Sequence, residues 1–244
     1  MSVPGTPPEL VSSPRRILVL GASASFGPDL VRGFVAQNAR VFATTRSGNR
    51  ASFAPAVQVA ALDLLNAESV DRFIQDALPA FGKLDVAVFL AGTLPGKALD
   101  DYDDALMRRV MDTNFTCQAA LLRRLLPHFT AGAQVWLLSS ISGDRGSFDP
   151  IYAASKAALV GFVKSLATWH APGLRVNALA PGVIEDSAMF EAMAPERRAH
   201  HVSATPTGRL TTPAEVAAVI VNLCEPAWAN LNGQVIRLNG GAHV

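Results

Sequence analysis

Cysteine is scarce: the 244 residues hold two, Cys117 and Cys224, far apart and without a neighbouring Cys or His at metal-ligand spacing. Neither a disulfide framework nor a zinc site is expected, no metal ligand is assigned, and a reducing cytoplasm fits best. An excess of one charge is also missing. Lys and Arg number 21 against 20 Asp and Glu, a formal net charge of +1. That balance leaves no electrostatic footprint for nucleic acid or an anionic membrane, and no partner of either kind is expected. No run of about 18 uncharged apolar residues occurs, nor any internal repeat or low-complexity tract. The first residues contain Pro4, Pro7, Pro8 and Pro14 but no continuous apolar stretch. They read as a disordered N-terminal arm over 1–14, neither signal peptide nor anchor.

What is there is half hydrophobic and long enough for one sizeable core, so a single domain over 15–244 is expected. Short apolar, β-branched runs alternate with longer helical patterns. Strands are predicted at Ile17–Leu20, Val41–Thr44, Val57–Leu62, Asp85–Leu90, Val135–Ser139, Arg175–Ala178 and Val235–Leu238. Helices are predicted to begin near Pro28, Asn66, Asp103, Ile151 and Pro213, where Pro, Asn or Asp suits a first turn. This alternation predicts an α/β fold, a doubly wound parallel seven-stranded sheet of Rossmann type in three layers. The segment from about 183 to 212 lacks a strand and holds Met189, Phe190, Met193, His200 and His201. A long interruption of this kind suits a lid over a binding site. The two histidines read as surface residues.

Leu20-Gly21-Ala22-Ser23-Ala24-Ser25-Phe26-Gly27 follows the first strand and opens the first helix. In that context Gly21 makes the tight turn, Gly27 allows close helix–strand approach, and the helix N-terminus offers amides to a pyrophosphate. Thr45 and Arg46 end the second strand, where the adenosine ribose is normally met. A guanidinium pairs with a 2′-phosphate, so NADP(H) is preferred over NAD(H), with Arg50 close enough to assist.

Tyr152-Ala153-Ala154-Ser155-Lys156 puts a phenol and an ammonium on one helix face. A free phenol has a pKa of about 10, and a neighbouring positive charge lowers it. Ser139-Ser140-Ile141-Ser142-Gly143 ends the fifth strand at the sheet's carboxyl edge, where open α/β sheets place ligands.

From Arg16 to Gly241 the order of these features resembles the short-chain dehydrogenase/reductase family, and within it the 3-oxoacyl reductase-like ketone reductases. The glycine turn is followed by Asp63, Ala91-Gly92, Asn114, Ser140, Tyr152, Lys156, Asn177, Pro181-Gly182 and Gly240-Gly241. The resemblance implies an NADP(H)-dependent oxidoreductase that interconverts a ketone and a secondary alcohol by hydride transfer. Tyr152 would be the general acid/base and Ser140 would steady the substrate oxygen, with Ser139 as fallback. Lys156 would lower the Tyr152 pKa and hold the nicotinamide ribose, and Asn114 would support a water leading to Lys156. The cofactor set is Gly21, Ser23, Ser25, Phe26, Gly27, Arg46, Asp63, Leu64, Ala91, Gly92, Tyr152, Lys156, Pro181, Gly182 and Ile184. A small-molecule carbonyl or alcohol is the implied substrate, and a homotetramer or homodimer the implied assembly. The rows Leu121, Leu122, Leu125 and Ala157, Leu159, Val160 suit either a subunit interface or the core.

Several positions depart from the family pattern. Leu20 stands for a threonine, Ser25 for a glycine and Leu90 for an asparagine. Asp186 stands where a threonine meets the nicotinamide amide, with Ser187 as its substitute. A second reading follows from these changes: a catalytically degenerate member acting as a binding or regulatory module. The segment His128–Gln134 before the fifth strand carries no Lys or Arg for an acidic carrier protein, so a small ketone rivals an acyl thioester.

Overall fold

The computed structural model describes residues 13–244. Positions 1–12, most of the segment expected as an arm, lie outside the described residues. In chain order the strands and helices are β1 (Arg16–Leu20), α1 (Gly27–Ala36), β2 (Arg40–Thr45), β3 (Gln58–Ala61), α2 (Ala67–Arg72), α3 (Leu78–Phe81), β4 (Leu84–Phe89), α4 (Asp104–Met111) and α5 (Cys117–Leu125). They continue with β5 (Phe129–Leu138), α6 (Ser142–Arg145), α7 (Pro150–Trp169), β6 (Leu174–Pro181), α8 (Ala188–Glu191), α9 (Pro195–Ser203), α10 (Pro213–Leu223) and β7 (Val235–Leu238). The helix starts follow local chemistry: the side chains of Asn66, Asp103 and Asp149 each accept an amide of the first turn, and Thr212 and Glu215 form a capping box.

The strands form one seven-stranded sheet in the order β3-β2-β1-β4-β5-β6-β7, with every pairing parallel. Residues alternate between its faces with the period of a pleated strand. Ile17, Val19, Val41, Val86 and Val88 join a core under α1 and α10, while Leu18, Leu20, Phe42, Ala87 and Phe89 join a second core under α5 and α7. Leu121, Leu122, Leu125 and Leu159 belong to that second core, whereas Ala157 is exposed and Val160 half-buried. Four of the six residues in the two apolar rows are therefore interior to the chain's own fold.

One strand differs from expectation. β5 begins at Phe129, so most of the segment read as the turn before it is strand. Its pairing with β4 slips from Leu84 opposite Phe129 to Val86 opposite Gln134, and Gly132 in the bulge takes a φ of 76°. Thr130-Ala131-Gly132-Ala133 carries no apolar run, which is why its pattern resembles a turn.

The strand order reverses between β1 and β4, and in sheets of this kind ligands settle in the crevice at that point, beyond the carboxyl ends of the strands. The glycine turn after β1 and Leu90-Ala91-Gly92 after β4 meet there. Gly21 has a φ of 73°, and a Cβ on it would stand 3.0 Å from the Ala91 amide nitrogen. A Cβ on Gly27 would stand 2.1 Å from the Ala22 carbonyl oxygen, with no flexible atom to yield. Gly27→Ala should therefore destabilise the fold by about 1–3 kcal/mol, lowering the thermal midpoint by roughly 3–10 °C. An unchanged midpoint in calorimetry would contradict this packing.

Candidate active site

The catalytic candidates depend on where α7 begins. Asp149 is 2% exposed and caps the helix, its Oδ1 accepting the Tyr152 amide at 2.9 Å. The same carboxylate accepts the amides of Gly96 at 2.9 Å and Lys97 at 3.3 Å, and the Tyr102 hydroxyl at 2.8 and 2.9 Å. A buried charge is tolerable when saturated with donors in this way. It ties the first turn of α7 to the loop after β4 and to the approach to α4. Tyr102 is held well above the usual phenol range by burial, then by its hydrogen bond to Asp149 and that group's charge.

On this helix Tyr152 and Lys156 lie on the cleft side, with Lys156 Nζ 5.7 Å from the Tyr152 ring centroid. Ser139 and Ser140 separate cleanly. The Ser139 hydroxyl is buried and donates to the Lys156 carbonyl at 3.0 Å, whereas the Ser140 hydroxyl accepts the Ser142 amide at 3.1 Å and lies near enough to the Tyr152 phenol to lower its pKa. Asn114, completely buried, sits in a π-helical turn (Asp112–Thr116) between α4 and α5. Its Nδ2 donates to the Thr93 carbonyl and the Ser155 hydroxyl, each at 2.9 Å, and its Oδ1 accepts the Thr93 amide at 2.7 Å. Both amide hydrogens are thus engaged, leaving one lone pair on Oδ1.

The electrostatics differ from the simple expectation that Lys156 lowers the Tyr152 pKa. Burial is the largest influence on the phenol and raises it, the Asp149 charge raises it further, and only the Ser140 hydroxyl opposes them. Lys156 is 3% exposed and pulled down to about 8 by the same loss of solvent. Its ammonium donates to the Leu138 carbonyl at 2.7 Å, where β5 ends.

These groups share a cavity of about 760 Å³ with Ser25 and Phe26 of the glycine turn, Leu90 and Gly92 after β4, and Pro181, Gly182 and Ile184 after β6. A Cβ on Gly92 would stand 3.5 Å from Lys156 Nζ and 3.6 Å from Asn114 Oδ1, so the absent side chain keeps the approach to the ammonium open. A long cleft running from a helix N-terminus to a phenol–ammonium pair fits a nicotinamide dinucleotide. Ser23 is exposed outside the cavity lining, and Phe26 is a core residue at 2% exposure. Asp63 Oδ1 accepts the Leu65 amide at 3.0 Å, and Asp63, Leu64 and Ala91 are half-buried beside the strand ends. Arg46 is exposed at the end of β2. Arg50 is turned away from any shared role with it, donating to the Pro55 and Val57 carbonyls at 3.1 and 3.3 Å.

Asp186 is exposed with a φ of 54° and does not line the cleft; Ser187 does, but its hydroxyl donates to the Ile184 carbonyl and caps α8. Across the opening, α8 presents Met189 and the connection from α8 to α9 presents Met193, while Phe190 stacks on Arg198 instead. His200, exposed as expected of a surface residue, and His201, half-buried, also line the cavity, together with the exposed Arg145 and Arg197. Sequence reasoning missed Asp149, Tyr102 and these arginines. Only Asp149 left a signal, the Asp-Pro pair opening a helix.

Comparison with known proteins agrees with this geometry. The sequence profile of the family described as Enoyl-(Acyl carrier protein) reductase matches residues 21–243. The 3-oxoacyl-[acyl-carrier-protein] reductase FabG of Vibrio cholerae is 30% identical over 236 residues, covering 93% of this chain and 96% of its own. The Glucose and ribitol dehydrogenase homolog 2 of Arabidopsis thaliana is 32% identical over 184 residues, 74% of this chain and 64% of its own. A crystal structure of a short-chain dehydrogenase/reductase, glucose/ribitol dehydrogenase, from Brucella melitensis superposes with a TM-score of 0.86 at 27% identity, covering 94% of this chain and 97% of that one. The chain belongs to the short-chain dehydrogenase/reductase family of oxidoreductases. Among the described residues, no helix is long and apolar enough to cross a membrane, and no group of three or more His, Cys, Asp or Glu is arranged to hold a metal.

The buried ammonium makes a testable pH signature. Because the folded Lys156 pKa lies near 8 against an ordinary 10.5, its charge costs stability fully below pH 8, and the cost fades as pH rises to 10.5. Lys156→Met removes that cost but also the bond to Leu138, worth about 1 kcal/mol. The variant should be at least as stable as the parent at pH 7 and less stable at pH 10, the difference moving by about 2–3 kcal/mol. Urea titrations at both values measure it, and a pH-independent difference would contradict the buried charge.

Proposed function

We propose that this chain is an NADP(H)-dependent reductase that interconverts a ketone and a secondary alcohol, with Tyr152 as general acid/base. One observation carries the reading: Ser140, Tyr152 and Lys156 line the same cleft as the glycine turn and Pro181-Gly182. The names of the related 3-oxoacyl and glucose/ribitol enzymes support it, since both chemistries act at a carbon–oxygen bond. When bound, the reduced nicotinamide supplies a hydride to the carbonyl carbon.

The chain's own part is to hold the carbonyl oxygen and deliver one proton to it. Ser140 donates a hydrogen bond to that oxygen, and Tyr152 Oη transfers its proton, giving the alcohol. With its pKa raised by burial, Tyr152 holds this proton at neutral pH. Lys156, still mostly protonated at pH 7, stabilises the resulting phenolate and returns a proton to it, while Asn114 holds Thr93 and Ser155 in place around the ammonium. Arg46 pairs with the 2′-phosphate, and Gly21, Gly27 and the first turn of α1 carry the pyrophosphate. In the same reading the described chain is one domain, 183–212 covers the substrate as a lid, and the enzyme works in the cytoplasm as a homotetramer or homodimer.

Tyr152→Phe should lower kcat for ketone reduction at least about a hundredfold while NADPH still binds, as followed by its fluorescence. Retained turnover would remove Tyr152 from the role, and no saturable fluorescence change with the parent protein would favour a degenerate binding module. Arg46→Ala should weaken NADPH about tenfold or more and NADH little. Equal losses in titrations with the two cofactors would show that Arg46 does not meet the 2′-phosphate.

A further inference from the structure

The end of the cleft far from the glycine turn has an unusual charge. Arg145 closes α6, and Arg197, His200 and His201 occupy successive turns of α9; all four line the 760 Å³ cavity. Arg145, His200 and His201 also line an adjoining chamber of about 100 Å³, so they form the wall between two connected spaces. The chamber has room for about three waters, or for one small polyatomic anion.

Opposing charge is lacking on this wall. Asp149 is the one carboxylate lining the cavity among the described residues, and its oxygens are saturated by Tyr152, Gly96, Lys97 and Tyr102. The acids nearest in sequence face elsewhere: Asp144 pairs with Arg237 at 2.8 Å and Glu191 with Arg198 at 3.5 Å. Glu196, also on α9, is exposed and lines neither space. Arg197 makes no side-chain hydrogen bond or ion pair among the described residues, and Arg145 reaches only the Ala242 carbonyl, at 3.4 Å. The two imidazoles stand 6.0 Å apart. His201 is held below its ordinary pKa by burial first, then by Arg197, His200 and Arg145, so its imidazole favours the neutral, hydrogen-bonding form beside the two guanidinium groups.

Arg145, Arg197 and His200 are exposed and His201 half-buried, yet all four border one cleft mouth rather than scattering over separate faces. An anion with several oxygens fits such a rim, and guanidinium groups grip it with paired N–H donors. The cavity wall nearer Tyr152 is apolar, with Leu94, Met189 and Met193. We propose that the substrate is a ketone carrying an oxyanionic group, carboxylate or phosphate, at the end remote from its carbonyl, held by Arg145, Arg197, His200 and His201. This substrate class rests on the ketone–alcohol reading above.

The test pairs each anionic ketone with a neutral twin: a keto acid against its methyl ester, and a keto phosphate against its dephosphorylated form. With the full chain and NADPH, the anionic member of at least one pair should show a kcat/KM at least tenfold higher. The pair with the larger ratio tells carboxylate from phosphate. In Arg197→Gln and in His201→Asn, each checked for an unchanged thermal midpoint, that ratio should fall about tenfold. Calorimetric titration of the same pairs into the chain with NADP+ supplies a readout that does not need turnover. Equal or reversed preference within both pairs, in kinetics and calorimetry, overturns the inference while leaving a neutral-ketone reductase intact. If no ketone of any kind is reduced, the ketone–alcohol reading fails, and the calorimetric preference still decides whether these four side chains hold an oxyanion.

Discussion

The site depends on a clamp between a helix and a strand end. Lys156 Nζ donates to the carbonyl of Leu138, the last residue of β5, and the next residue, Ser139, returns a hydroxyl to the Lys156 carbonyl. Both bonds are sheltered from water, where losing either partner leaves a buried polar group unmet. They fix α7 along its axis and in rotation against the sheet, so Tyr152, one turn earlier, meets Ser140 at the carboxyl edge. Asp149 secures the other end of the same arrangement. The buried ammonium has one good acceptor in the Leu138 carbonyl and a phenol ring nearby.

That arrangement costs stability, and the cost falls on the two groups to which the chemistry is assigned by proposal. Burial moves the Tyr152 and Lys156 pKa values in opposite directions, one up and one down, each toward its neutral form. Perturbed pairs of this kind are characteristic of functional sites. The same cleft continues past them into a cationic region. Its two parts are built differently: the end with Tyr152 by helix and strand termini tied by Asp149, Ser139 and Lys156, the far end by helical side chains with donors to spare.

Much of the fold was legible because its signals are local. Each of the seven strands occurs where a short apolar run stands, and the caps at Asn66, Asp103 and Thr212 need only their own helices. Where the local pattern was silent, the reading failed. Thr130-Ala131-Gly132-Ala133 is carried as a bulge between two registers of β5 against β4, and His200 and His201 carry no mark of the cavity they border. Asp186 likewise occupies a promising place in the order of residues, yet a left-handed backbone turns the chain there and leaves Ser187 at the cleft.

By itself, the amino-acid order determined the glycine turn and the pairing of Tyr152 with Lys156, which follow from spacing on one element, and the sheet and the family resemblance, which follow from the order of such elements along the chain. Tertiary structure alone decided which serine meets the phenol, that Asp149 joins three segments, that burial raises the Tyr152 pKa, and that α6 and α9 bring two arginines and two histidines to one end of the cleft. These depend on distances between residues far apart in the chain. Such distances are set by how helices pack on the sheet, and no local pattern encodes them.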